Sequence, residues 1–522
     1  MTDRIRLVRA GFVLVFSVIA LRLVWIQIFM APALREEARS QTRLRLLLDA
    51  ARGEILATDG SVLAGERPEG GRGWPWGGMA LSVLGMVGRD GNGLMGLEYR
   101  FDEALHGTPG WKNARRTGRG EAWPDFDDQG ARACPGAAVV TTLRPTLQGE
   151  VEAALAEVVN RHNAVGGVAI VVEARTGNIA ALASLPAPID GKAMAMGRVE
   201  VGAVQRTYEP GSTFKAFSLS AAIETGKVSL DDVFQVTASW DPGDGHPIRD
   251  AHPLNGAFTA RQCLEHSSNV CFAQIAQRAG STNLFRTARD FGFGTPTGID
   301  LPAEESGILK TVDQWSGRTL PTMAIGQEVT VTPLQLVMAY AALANGGVLM
   351  RPRLVRALVS PEGDTIERFK SRPVRQSVSA ATAALVLDAL HSVVDSGTGG
   401  LARIPGIQIS GKTGTSQKVD PGNGHYYQDR FMASFIGIVP VKGESLVCLV
   451  VLDDPTAQGH TGGVAAAPAF ARIARFALRD PSLPWGDLAP DAPGALARSL
   501  HTQGMPRNDS LTRTAAAEES PG

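Results

Sequence analysis

Residues 11–30, GFVLVFSVIALRLVWIQIFM, are an apolar run one bilayer long, and every reading of the chain has to accommodate it. A membrane interior takes about 20 mostly apolar residues in helix, because backbone polar groups in lipid must be satisfied within the segment itself. Arg4, Arg6 and Arg9 precede the run, and Arg22 and Gln27 are its strongly polar members. Arg22 admits two readings of equal weight, a contact inside the membrane or a side chain reaching out to the headgroups. Ala31-Pro32-Ala33 resembles a small-residue cleavage site, but the apolar run is long for a signal peptide, so an uncleaved anchor over residues 10–30 is expected, with residues 1–9 cytoplasmic. Arg35, Arg39, Arg43 and Arg45 follow the span, so local charge does not orient it.

The remaining chain, within a total of 522 residues that is 44% hydrophobic, is long enough for further domains with a sizeable core. A formal charge of -1 argues against a nucleic-acid partner. The four cysteines, Cys134, Cys263, Cys271 and Cys448, form no metal-binding or redox pattern. Cys263 and Cys271 sit on what reads as one helix, where about two turns separate them too far for a disulfide, so four separate thiols are expected.

Charged sequence from Leu34 to Arg52 reads as a possible helical continuation of the anchor. ARGEILATDGSVLA (51–64) reads as a hairpin, with Asp59-Gly60 supplying a type I′ turn. Val151, Ala154, Leu155, Val158 and Val159 recur at helical spacing, and Gly166-Gly167 is expected to end that helix. VAIVVEA and NIAALAS about Thr176-Gly177 read as a second hairpin. FMASFIGIVP and SLVCLVVLDDP read as two buried strands, and Val464 to Arg479 as a closing helix. Strands at both ends of a mostly helical middle predict an α/β (α+β) sandwich in which helices cover one antiparallel sheet. Residues 484–522, rich in Pro, Ala, Gly, Ser and Thr, read as a disordered tail.

Three short motifs carry chemistry. Ser212-Thr213-Phe214-Lys215 follows Pro210-Gly211, which suits a helix start and brings an amine within one turn of a hydroxyl. A serine needs an adjacent base, and a desolvated lysine can become one where arginine cannot. Ser267-Ser268-Asn269 follows a helix-like segment and presents a hydroxyl and an amide, a pair suited to proton relay and substrate positioning, although taken alone it reads as a helix cap. Lys412-Thr413-Gly414-Thr415 suits a strand beside a cleft: Gly414 lets a ligand approach the backbone, and the amine and hydroxyls can hold a carboxylate. Backbone N–H groups of Ser212 and Thr415 are candidates for an oxyanion hole.

S-x-x-K, S-x-N and K-T-G in this order resemble the penicillin-recognising serine enzymes. The longer strings YEPGSTFK (208–215), EHSSNV (265–270), FGFGTPTGIDLPAEESG (291–307), VTPLQLVMAYAALANGG (331–347), SGKTGTSQ (410–417), GGVAAAPAFARIA (462–474) and ARTGNIAALASLP (174–186) resemble class B penicillin-binding transpeptidases, with a lead-in more similar to division-type members. The resemblance covers most of residues 139–480. It implies a transpeptidase domain over 141–483, preceded by a small, mainly β pedestal over 31–140, to which ARGEILATDGSVLA and GLMGLEYRFDEALHGTPG (93–110) are similar.

The resemblance also implies Ser212 as nucleophile, Lys215 as general base, Ser267 and Asn269 as proton relay and positioning groups, and Lys412, Thr413, Gly414 and Thr415 at the carboxylate end of the substrate. It implies no cofactor and no metal, peptidoglycan stem peptides and β-lactams as ligands, and a polytopic glycosyltransferase and divisome proteins as partners at the inner membrane, with the catalytic domain on its outer side. Three departures stand out: Ala57, Thr58 and Asp59 in the pedestal hairpin, Thr142-Leu143-Arg144 where the family usually has TID, and a short stretch between Ala64 and Gly85 that points to a trimmed pedestal. The rivals are a class D-like β-lactamase, which shares STFK but would want a second motif other than SSN and neither anchor nor pedestal, and a penicillin-binding sensor or scaffold with weak turnover. A D,D-carboxypeptidase differs only in accepting water, which the motifs do not decide.

Overall fold

The computed structural model describes residues 2–116, 121–124, 130–186, 200–243 and 245–480; the expected tail over 484–522 lies outside the described residues. The chain divides into two compact units, residues 1–51 with 107–136, and residues 52–106 with 137–522.

In the first unit, helical backbone runs from Thr2 to Thr42, with a π-helical turn over Trp25–Met30. Thr2–Ala38 is long and apolar enough to cross a membrane, and among the described residues it alone is. The helix does not continue to Arg52: Arg43–Leu48 is a strand, antiparallel to Gly110–Arg116, against which Ala122–Pro124 and Gly130–Ala131 also pair. Arg43-Leu44-Arg45-Leu46 alternates charged and apolar residues, the period of a strand.

The second unit is built on a five-stranded antiparallel sheet. Its strands are β1 (Gly166–Glu173), β2 (Ile179–Leu185), β3 (Ser410–Val419), β4 (Tyr426–Val441) and β5 (Glu444–Asp453), in the order β2-β1-β5-β4-β3. Seven helices matter here: α1 (Pro145–Arg161), α2 (Lys215–Glu224), α3 (Ala260–Glu265), α4 (Asn269–Ala279), α5 (Pro333–Ala344), α6 (Ala380–Asp395) and α7 (Ala467–Arg479). Along β5, Val447, Leu449 and Val451 join the core that holds α2, α4 and α5, while Leu446, Cys448, Val450 and Leu452 join α1 and α7. Both faces of the strand are buried, which is why it reads as an unbroken apolar run rather than an alternation. The antiparallel sheet with helical cover matches the fold expected from strands at both ends of a mostly helical middle. Helix α5 is buried along Pro333–Leu343 and opens with a Thr332/Gln335 capping box ahead of Pro333, which is legible in VTPLQ.

Two local expectations need correction. Gly166-Gly167 does not end α1, which stops at Arg161; both glycines lie in β1. A Cβ on either would fall 2.4 Å from Leu185 O or 2.7 Å from Val451 O, so they mark close strand packing rather than a helix stop. The Asp59-Gly60 hairpin exists, joining Ile55–Leu56 to Val62–Glu66, but only Gly60 takes a positive φ, of 85°. Gly60 N donates to Ala57 O and Ala57 N to Ser61 O, a type I turn closed by a left-handed glycine, with Asp59 Oδ1 accepting from Ser61 N instead of adopting positive φ. This hairpin lies in a six-stranded sheet with Ala138–Thr141, the strand that leads into α1. There Arg144, which replaces the acidic residue of TID, forms a buried ion pair with Glu173 at 2.8 Å.

Candidate active site

The nucleophile turn is held from below and from the side. Residues Gly211–Phe214 form a 3-10 turn that runs into α2, with Gly211 at φ 53° and its N–H donating to Gly326 O at 3.1 Å. A Cβ on Gly326 would fall 2.1 Å from Gly211 O, so this approach requires glycine. Tyr340 of α5 donates its hydroxyl to Thr213 O at 2.7 Å, and Phe214 and Phe217 pack with Phe291 and Phe293 under the turn. Strand β3 lies alongside: Ser416 Oγ donates to Glu209 O at 2.6 Å, and a Cβ on Gly414 would reach Thr213 and Ser434 at 2.9 and 2.4 Å.

All eight residues singled out in the sequence fall in this one region. Lys215 Nζ is 3.0 Å from Ser212 Oγ, 2.6 Å from Ser267 O, 3.2 Å from Ser267 Oγ and 2.7 Å from Asn269 Oδ1. Lys412 Nζ is 2.9 Å from Ser267 Oγ, so this hydroxyl bridges the two amines. Thr413 Oγ1 meets Thr398 Oγ1 at 2.9 Å, and Thr415 Oγ1 accepts from Gly462 N at 3.1 Å.

Both lysines are fully buried. Desolvation, and then the charge of Lys412, lowers the Lys215 pKa well below 10.5, against the opposing pull of Asp250; desolvation brings Lys412 to about 7. The hydrogen-bond partners of Lys215 are hydroxyls and carbonyl oxygens, which suit a neutral amine. Its two N–H groups can donate to Ser267 O and Asn269 Oδ1, leaving the lone pair for the Ser212 hydroxyl. Asn269 Nδ2 donates to Arg249 O at 2.9 Å, which fixes the amide with its oxygen toward Lys215.

The Ser267-Asn269 turn is unusual. Ser267 has φ 59°, a left-handed conformation that costs a non-glycine residue about 1–2 kcal/mol. Helix α3 therefore stops, and Ser268 caps α4 by accepting from Cys271 N. The helix-cap reading holds for Ser268, and its two neighbours both contact Lys215. The break also overturns the expectation of four separate thiols: Cys263 on α3 and Cys271 on α4 are joined in a disulfide with Cα atoms 6.0 Å apart. The assumption of one continuous helix was the error. Cys448 is a buried thiol, as expected, and Cys134 an exposed one.

Sequence reasoning also missed Asp250. Its carboxylate accepts from Ser268 Oγ at 2.9 Å and from the backbone N–H groups of Asn269 and Val270 at the start of α4. It lies on a loop with no local pattern, so nothing in the sequence marked it.

The penicillin binding protein transpeptidase domain family matches residues 167–475. The chain is 36% identical over 440 residues to penicillin-binding protein PbpB of Mycobacterium tuberculosis, covering 80% of this chain and 63% of that protein. It is 34% identical over 417 residues to stage V sporulation protein D of Bacillus subtilis, covering 78% and 64%. The chain thus spans slightly less than two thirds of the length of these curated relatives. Among solved structures, apo penicillin binding protein 3 of M. tuberculosis superposes with a TM-score of 0.74 at 34% identity, covering 83% of this chain and 96% of that one. Its ampicillin complex gives 0.73 at 33% identity, covering 84% and 99%. The chain belongs to the penicillin-binding protein transpeptidases, in their class B, division-type branch.

Proposed function

We propose that this protein is a peptidoglycan D,D-transpeptidase that cross-links stem peptides through an acyl-enzyme on Ser212, in septal wall synthesis. The observation that carries the reading is a buried, pKa-lowered Lys215 amine 3.0 Å from Ser212 Oγ. The hydroxyl proton passes to Lys215 as Ser212 Oγ attacks the penultimate D-Ala carbonyl. The resulting oxyanion is received by the backbone N–H groups of Ser212 and Thr415. Ser267, between the two lysines, relays a proton to the departing D-Ala amine as the C–N bond breaks. Lys412, Thr413 and Thr415 hold the terminal carboxylate beside Gly414 and, with Asn269, position the peptide. An acceptor amine then attacks the ester, restoring Ser212.

A β-lactam acylates the same serine, a reading supported by the ampicillin complex of the mycobacterial relative. The apolar Thr2–Ala38 helix supports a single-pass inner-membrane anchor, and a buried disulfide supports an oxidising, extracytoplasmic location for residues 141–483. Residues 31–140 form the pedestal, reduced in length, and the family resemblance supports a polytopic glycosyltransferase and divisome proteins as its partners.

Fluorescent penicillin added to the full-length protein in detergent tests the central claim. A long-lived adduct in wild type and none in Ser212→Ala is expected. Rapid release of the adduct would favour a β-lactamase, and a folded wild type without an adduct would sink the acyl-enzyme reading.

A further inference from the structure

We propose that the Cys263–Cys271 disulfide is a positioning element of the active site, closing the segment that carries Ser267 and Asn269 so that their two carbonyl oxygens stay on the Lys215 amine. The inference rests on the transpeptidase reading and deepens it. The bridge joins residues 8 apart in sequence, and the reactive turn is all that lies between the two helix ends it ties together. Both half-cystines also grip the turn through their backbones: Cys263 O accepts from Ser268 N at 2.9 Å, and Cys271 N donates to Ser268 Oγ at 3.1 Å. Both are fully buried, so the link is sealed from solvent.

This turn needs such a constraint. Ser267 is held left-handed at φ 59°, and relaxing it would swing its carbonyl and hydroxyl, 2.6 and 3.2 Å from Lys215 Nζ, away from the amine. The Asn269 oxygen at 2.7 Å sits on the first residue of α4 and would move with the helix end. Three of the four contacts on Lys215 thus come from the bridged segment, and Ser212 Oγ alone comes from elsewhere. The same segment reaches the K-T-G strand: Glu265 O accepts from Thr398 N, and Thr398 bonds Thr413. The charged groups facing Lys215 are Lys412 on β3 and Asp250 ahead of α3. Loosening the turn would admit water to the amine and raise its pKa.

The test uses the full-length protein in detergent. Thiol titration after denaturation should find two thiols, Cys134 and Cys448; four would remove the premise. Cys263→Ala/Cys271→Ala is then compared with wild type for the rate of acylation by fluorescent penicillin across pH, with thermal unfolding followed in parallel. A loss of about 10- to 100-fold is expected, as for a misplaced catalytic group, together with a rise in the midpoint of the acid limb, which a merely less stable fold would not move. If the variant does not fold, wild type reduced until four thiols titrate gives the same comparison. A labelled wild type beside an equally reactive bridge-free protein with an unmoved acid limb overturns this inference alone, whereas a wild type that forms no adduct overturns the acyl-enzyme reading beneath it.

Discussion

Two clusters of buried cations in the same unit end in opposite ways. In the segment Arg52–His106, Glu98 is fully buried and takes Arg52 at 2.8 Å and Arg72 at 2.6 Å on its two oxygens, while Asp102 adds a second carboxylate to Arg52. Charge meets charge there, and the ion pairs cross-brace a loop-rich segment. At the active site Lys215 and Lys412 are as deeply buried, but their hydrogen-bond partners are hydroxyls and carbonyls. Desolvation lowers the proton affinity of both amines, and the charge of Lys412 lowers that of Lys215 further against the pull of Asp250. A buried cation with a bonded counter-ion braces structure, whereas one bonded to neutral acceptors binds its proton less tightly.

Exchanging the chemistry of the two clusters should break this contrast. Lys215→Arg keeps a cation at the site but removes the base, and acylation by fluorescent penicillin should fall by about 10³-fold or more, with the thermal midpoint changed far less. A rate within tenfold of wild type would mean that Lys215 is not the base. Glu98→Gln makes the reverse demand. It leaves Arg72 without its bonded anion and Arg52 with Asp102 alone, and should cost about 3 kcal/mol of stability, while molecules that remain folded acylate normally. Denaturant titration beside the acylation assay separates these effects, and selective loss of acylation would place the triad in the mechanism.

The smallest effect is one of pH. Acylation needs neutral Lys215, so its rate should decline on acidification as that amine takes a proton. Lys412 holds the Lys215 pKa down by charge, so Lys412→Ala should shift this acid limb to higher pH, beyond any loss of rate. A downward shift would mean that the two amines are not coupled in this sense. Linkage gives a matching sign for stability. The folded pKa of Lys412, about 7, is below its ordinary 10.5, so between these values the unfolded chain binds more protons, and the domain should gain stability as pH rises through that window.

Much of this was legible in the chain. Strand β5 announced itself as SLVCLVVLD because both its faces are buried. The residues singled out in the three motifs lie together, with Lys215 and Lys412 both bonded to Ser267. Local pattern failed where a contact ran against it. Gly166-Gly167 looks like a helix stop and is the start of an inner strand packed against Leu185 and Val451, residues distant in sequence. The two cysteines look like neighbours on one helix until Ser267 turns left-handed.

By itself the sequence determined the apolar helix, the buried core strands, the family and the candidate reactive groups, because each is encoded in short-range periodicity or in residue type. Only the tertiary structure decided what surrounds those groups. It brought Lys412 to Ser267 across 145 positions of chain, enclosed both lysines away from water and from any bonded carboxylate, and joined Cys263 to Cys271 across a broken helix. The physical reason is that proton affinity and bridge geometry depend on the surroundings that folding supplies, and a list of residues does not contain them.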